Sequence, residues 1–199
     1  MNMDYLNSIS ISDCALLIID CQNDFLAEGA PLENPRGRAK LGNIVAARAW
    51  ARENGIPVVY TQETHRRQKM DFGMETLRGD PEHCLEDSEG VQIVKELTPD
   101  PSEYVVIKRR YSGFYETDMD IILKGLKKSA IILAGVDTNV CVYSTALDAQ
   151  FRGYKVIALS DCTAGTSEEI HNAFLQNINY ILGEVLTLEE VKNIIQGAS

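Results

Sequence analysis

The chain has 199 residues, 45% of them hydrophobic, enough for one domain with a substantial buried core. Its 29 Asp and Glu outnumber 19 Lys and Arg, and the net charge of −10 argues against binding nucleic acid or an anionic membrane. Its apolar runs are too short and too interrupted by charge to span a bilayer, Met1-Asn2-Met3-Asp4-Tyr5 lacks the regions of a secretory signal, and five cysteines without paired spacing suit a reducing compartment, so a cytoplasmic protein is expected.

Strand and helix signals alternate along the chain. Ala15-Leu16-Leu17-Ile18-Ile19 is an unbroken aliphatic run, expected as a buried strand over 14–20 that ends on Asp20. A helix is expected over 38–54, stopped by Asn54-Gly55, and a second strand over 56–61. The rhythm then breaks. Residues 62–100 are long and polar, contain His65 and His83, and are read as an insertion covering a site. A strand over 103–108 ends on Lys108, and a helix follows over 117–127. A strand over 129–135 then runs through Gly135-Val136-Asp137-Thr138-Asn139-Val140-Cys141-Val142 into a helix over 139–152. Arg152-Gly153 ends that helix before a strand over 154–159, a helix over 167–178, a strand over 180–185 and a helix over 187–196. This alternation predicts an α/β fold: a mainly parallel six-stranded sheet with helices on both faces, in three layers, as a single domain over 1–199.

Cys141 falls in the first turn of a helix, just past the carboxyl end of a buried strand. Open α/β sheets place ligand sites at this edge. The unpaired N–H groups and the helix dipole there are expected to favour a thiolate. A lone cysteine is more often a structural, buried residue. The company of Cys141 points the other way, because a nucleophilic thiol needs a base and a cation, and Asp20 and Lys108 end two other strands. The remaining cysteines offer less. Cys21 points to the opposite face of its strand from Asp20, Cys84 adjoins His83 on a loop, and Cys162 ends a strand, so all three are read as structural. His171, on a helical face, is read as surface or supporting rather than catalytic.

Three blocks carry a resemblance to a known family. They are Ile18-Ile19-Asp20-Cys21-Gln22-Asn23-Asp24-Phe25, Lys108-Arg109-Arg110-Tyr111-Ser112-Gly113-Phe114, and Gly135-Val136-Asp137-Thr138-Asn139-Val140-Cys141-Val142. In order and spacing they resemble the isochorismatase-like cysteine hydrolases, which include nicotinamidases, N-carbamoylsarcosine amidohydrolases and ureidoacrylate amidohydrolases. The resemblance runs from about residue 14 to residue 190. It implies a Rossmann-type α/β/α domain and an Asp20–Lys108–Cys141 triad that cleaves the C–N bond of a small amide or ureide through a thioester. It also implies an oxyanion hole from the backbone N–H groups of Asp137 and Cys141, with a cis peptide between Val136 and Asp137. Phe25, His65, Arg109 and Tyr111 are the expected substrate contacts, and a homo-oligomer, dimer or tetramer, is the expected assembly.

Glu63, His65, Asp71 and His83 fall where nicotinamidases carry a metal site, but two of the four residue types differ, and Arg66, Arg67 and Lys69 crowd the segment with positive charge. No metal is therefore expected to be required. Arg109 and Arg110 beside Lys108 suit a substrate carboxylate, as in the ureidoacrylate and N-carbamoyl branch, or else salt bridges at the surface. Two alternatives stay open: vinyl-ether hydrolysis of the isochorismate type, and a non-catalytic oligomeric binding protein of the same fold.

Overall fold

The six aliphatic runs pair into one sheet in the computed structural model, which describes residues 2–196. The strands are β1 (Cys14–Ile19), β2 (Val58–Glu63), β3 (Tyr104–Lys108), β4 (Ala130–Val136), β5 (Lys155–Ala164) and β6 (Glu184–Leu186). Their order is β3-β2-β1-β4-β5-β6, and every pairing is parallel. Among the described residues, seven helices pack around the sheet: α1 (Met3–Asn7), α2 (Asn23–Leu26), α3 (Pro35–Glu53), α4 (Met119–Gly125), α5 (Tyr143–Phe151), α6 (Glu168–Asn177) and α7 (Leu188–Gln196). No helix among the described residues is long and apolar enough to cross a membrane.

All six side chains of β1 are buried because both faces of the sheet are covered. Leu16 and Ile18 join a core with Ile44, Ala47 and Trp50 of α3 and Val191 of α7. Leu17 and Ile19, pointing the other way, pack with Met119 and Leu123 of α4, Ala146 and Ala149 of α5 and Leu175 of α6. The strand order reverses direction between β1 and β4, the switch point at which doubly wound sheets open a crevice at their carboxyl ends. Gly135 makes that crevice narrow. Its φ is +112°, and a Cβ there would lie 2.1 Å from the Ile19 carbonyl oxygen, so only glycine lets β4 run this close to β1.

Several boundaries differ from those expected. α3 begins at Pro35 rather than 38, because its first turn is announced by a cap instead of an apolar stripe: Asn34 accepts the Gly37 N–H at 2.9 Å and Pro35 stands in the first turn. The helix expected from 139 opens as a wider π turn, Thr138–Val142, before α5 starts. The strand expected over 180–185 is corrected to Glu184–Leu186. Ile178–Leu182 continues α6 as another π turn, leaving Tyr180 and Ile181 exposed, until Gly183 ends it.

The long segment after β2 contains only two short 3-10 turns, Thr76–Arg78 and Lys95–Leu97. The Gln22-Asn23-Asp24 motif ties it down. Gln22 donates to the Val91 and Glu63 carbonyls, both at 2.8 Å, and accepts the Glu63 N–H at 2.8 Å. Asn23 donates to the Glu89 carbonyl, and the Asp24 carboxylate accepts the Cys84 N–H at 2.6 Å. The segment is thereby anchored beside the carboxyl edge of the sheet.

Candidate active site

Four adjacent strands each bring one group to that edge. Asp20 follows β1 with a φ of 47°, Glu63 ends β2, Lys108 ends β3, and Cys141 lies in the π turn after β4. Glu63 and Lys108 are register partners, which sets their side chains on the same face. The Lys108 ammonium is fully buried and pairs with Glu63 Oε2 at 2.6 Å and Asp20 Oδ2 at 2.8 Å. It donates to the Arg110 carbonyl at 3.0 Å and to Cys141 Sγ at 3.5 Å. Thr61 donates to Asp20 Oδ1 at 2.6 Å and fixes that carboxylate. The three residues read from the sequence are thus brought together, with one addition. β2 lies between β1 and β3, and its Glu63 fills the gap, 3.9 Å from Cys141 Sγ. A strand end placed at 61 instead of 63 hid this role.

The charges explain one another. Burial disfavours the ammonium of Lys108, but Asp20, Cys141 and Glu63 outweigh it and hold its pKa well above the usual value. Burial raises Asp20 against the pull of Lys108. Burial acts on Glu63 in the same sense, yet Lys108, His65 and His83 hold that carboxyl well below its usual range. Around Cys141 the surroundings oppose the expected thiolate. Its thiol pKa is raised well above normal by burial, which the Lys108 attraction does not cancel while Asp20 and Glu63 stand beside it. Burial thus weighs toward the thiol in the resting site. Burial raises all four other cysteines as well, so acidity does not single out Cys141. Contact with Lys108 and exposure to a cavity do.

That cavity, about 430 Å³, is lined by Asp20, Glu63, Cys141, Val136 and Asp137, with Phe25 and Tyr111 among its remaining walls. The Val136–Asp137 peptide is cis. Asn34, the cap of α3, donates to the Asp137 carboxylate and, at 3.3 Å, to the Gly165 carbonyl. Burial raises the Asp137 pKa to about 6 against the Asn34 hydrogen bond. His171 is buried behind the nucleophile turn, its Nδ1 2.8 Å from Thr138 Oγ1.

Two expected substrate contacts lie elsewhere. His65 is fully buried, stacked on Phe72 and facing Glu63, and it does not line the cavity. Arg109 pairs with Asp71 at 3.1 Å and Glu86 at 3.5 Å and donates to the Thr64 carbonyl, so its guanidinium is committed to the insertion.

The metal-site residues are also rearranged. Glu63 Oε1 meets His83 Nε2 at 3.0 Å and His65 Nε2 at 3.3 Å, and the three groups form a cluster able to hold a metal ion. Asp71 is not part of it: its carboxylate sits 3.9 Å from the other ring nitrogen of His65. Nor do Arg66, Arg67 and Lys69 crowd it, because they pair outward with Glu86, Asp87 and Glu82. One carboxylate oxygen and two imidazole nitrogens suit a divalent transition ion, and His83 Nδ1 facing the Pro81 carbonyl at 2.8 Å would orient the ring for it. The same geometry accommodates a proton. Both ring nitrogens of His83 face acceptors, and although burial opposes it, Glu63 and the Pro81 carbonyl raise its pKa.

The isochorismatase domain family matches residues 14–190. An isochorismatase-like hydrolase from Alkaliphilus metalliredigens superposes with a TM-score of 0.84 at 39% identity, covering 91% of this chain and 98% of that one. A ureidoacrylate amidohydrolase from Methylobacterium radiotolerans is 33% identical over 193 residues, 85% of this chain and 74% of its own. A probable inactive nicotinamidase from Arabidopsis thaliana is 30% identical over 182 residues, 88% of this chain and 93% of its own.

Proposed function

The chain belongs to the isochorismatase family, and from that footing we propose that it is a cysteine amidohydrolase that opens the C–N bond of a small amide through a thioester on Cys141. One observation carries the reading: the Cys141 sulfur lies 3.5 Å from a buried ammonium flanked by two carboxylates and opens on a cavity of about 430 Å³.

Asp20 is the base of choice. Burial raises its affinity for a proton, whereas Glu63 is held low by Lys108 and two histidines. As sulfur attacks the carbonyl carbon, its proton passes to Asp20, and the ammonium of Lys108 steadies the sulfur's developing charge. The carbonyl electrons move onto oxygen, toward the backbone N–H groups of Asp137 and Cys141. Collapse breaks the C–N bond, Asp20 returns the proton to the departing nitrogen, and a thioester remains. Water then gives a proton to Asp20 and attacks that thioester, and expulsion of the sulfur, reprotonated by Asp20, frees the acid. Were a divalent ion held by Glu63, His65 and His83, it would supply a Lewis-acidic contact at the cavity wall. The acyl transfer itself runs through Asp20, Lys108 and Cys141, so hydrolysis is proposed to be metal-independent. A homo-oligomer acting on a small molecule in the cytoplasm completes the proposal.

The test is ammonia release from a panel of primary amides and ureides by the full chain. Wild type is expected to turn over at least one of them, and Cys141→Ala none. Turnover that survives in Cys141→Ala would sink the reading.

A further inference from the structure

The cavity above Cys141 is walled by carboxylates, and its lining holds one imidazole, His83, and no lysine or arginine among the described residues. Asp20, Glu33, Glu63, Glu75, Asp80 and Asp137 all line it. Three have ion-pair partners: Asp20 and Glu63 share Lys108, Glu63 also faces His83, and Glu33 pairs with Arg38 at 2.8 Å. Glu75, Asp80 and Asp137 have no ion-pair partner among the described residues. Glu75 is the telling one. It is only 8% exposed, its Oε1 accepts the Gly73 N–H at 2.7 Å, and its other oxygen has no hydrogen-bond partner among the described residues. The cation that can face it in this cavity is protonated His83, whose pKa Glu63 and Glu75 both raise, so one imidazole is shared between two carboxylates. The negative field is felt nearby: after burial, Glu75 and Asp80 are the largest causes that raise the Tyr111 phenol.

The guanidinium groups that would receive an anionic substrate are not in this cavity. Arg109 and Arg110 line an adjoining one, which shares Glu63, Glu75 and Tyr111 with the first. There Arg109 is held by Asp71 and Glu86, and Arg110 donates to the Asp71 carbonyl at 2.8 Å. Phe25 and Tyr111 on the catalytic side add aromatic surface of the kind that accepts a cation.

We propose that the substrate is an amide whose acyl portion carries a cationic, N–H-rich group, an amine or guanidine, seated against Glu75 and Asp137 while its carbonyl lies over Cys141. The site selects against acyl groups that bear a carboxylate, because these would meet an excess of negative charge and no guanidinium in the cavity lining. This deepens the amidohydrolase reading and rests on it.

Three near-isosteric primary amides separate the two ideas: γ-aminobutyramide (cationic), valeramide (neutral) and succinamate (anionic). By kcat/KM for ammonia release at neutral pH, the cationic amide is expected to exceed the neutral one by about 10-fold and the anionic one by about 100-fold. Glu75→Gln, and separately Asp137→Asn, are expected to lower the cationic-to-neutral ratio by about 5-fold or more. Calorimetry with Cys141→Ala reads the same preference as binding, independent of chemistry. Preference for succinamate, or a ratio unmoved in both variants, overturns the inference while leaving the amidohydrolase reading standing. Absence of hydrolysis with selective binding of γ-aminobutyramide retains the cation site and removes the amidohydrolase reading. Absence of both hydrolysis and selective binding overturns the inference.

Discussion

Glu63→Gln removes one negative charge from the catalytic cluster with little change of shape. The carboxylate lies 3.9 Å from Cys141 Sγ and 2.6 Å from Lys108 Nζ. At an effective dielectric of about 20, its repulsion of a thiolate at that distance is about 4 kcal/mol. Glutamine preserves the contacts: its carbonyl oxygen faces Lys108, and its amide donates toward His83 Nε2 once that ring is neutral. Lys108 then serves only Asp20 and the sulfur. About 1.4 kcal/mol, a third of the repulsion, gives a 10-fold change. Alkylation by iodoacetamide, which consumes thiolate, is therefore expected to run about 10-fold faster or more at neutral pH in Glu63→Gln. The assay is mass spectrometry of the Cys141 peptide against time, with Cys14, Cys21, Cys84 and Cys162 as buried internal controls. An unchanged or slower rate would refute the claim that Glu63 adds to burial in favouring the Cys141 thiol.

Lys108→Met leaves Asp20 and Glu63 buried without their counter-charge, so unfolding free energy at neutral pH is expected to fall by about 3–5 kcal/mol and Cys141 alkylation to slow; a urea midpoint near wild type would contradict this. Asp137, raised to about 6, contributes stability that is fully present below its unfolded value near 4 and is lost as pH rises through about 6. Asp137→Asn, which cannot ionise, should therefore match wild type near pH 4 and exceed it by about 2 kcal/mol near pH 8, and parallel stability profiles in urea would exclude that account. Hydrolysis should survive prolonged EDTA treatment; stoichiometric zinc, iron or manganese lost together with activity would assign Glu63, His65 and His83 to a required metal.

The fold was legible because its signals are local. Unbroken aliphatic runs such as Ala15–Ile19, each closed by a turn, leave little choice but a buried parallel sheet. The two π turns were not legible, since Ile178–Leu182 alternates like a strand and only its continuity with α6 decides otherwise. Asp20, Lys108 and Cys141 could be read as strand ends, but their order across the sheet could not, and that order admits Glu63 between them. The carboxylates beside Cys141 were hidden for a related reason. The helix terminus was visible in the sequence, whereas two carboxylates within reach of the sulfur are a product of the fold. Arg109 shows the converse, a promising charge beside Lys108 that Asp71 and Glu86 hold away from the cavity.

The central claim is that Cys141 carries the acyl group. Rapid acid quenching during turnover of the best amide substrate, followed by peptide mass spectrometry, tests it directly. The account predicts one acyl adduct per chain, on the Cys141 peptide alone, formed as ammonia is released and removed at the rate of acid release. Ammonia released at full rate with no adduct on Cys141, or an adduct on another residue, would contradict it.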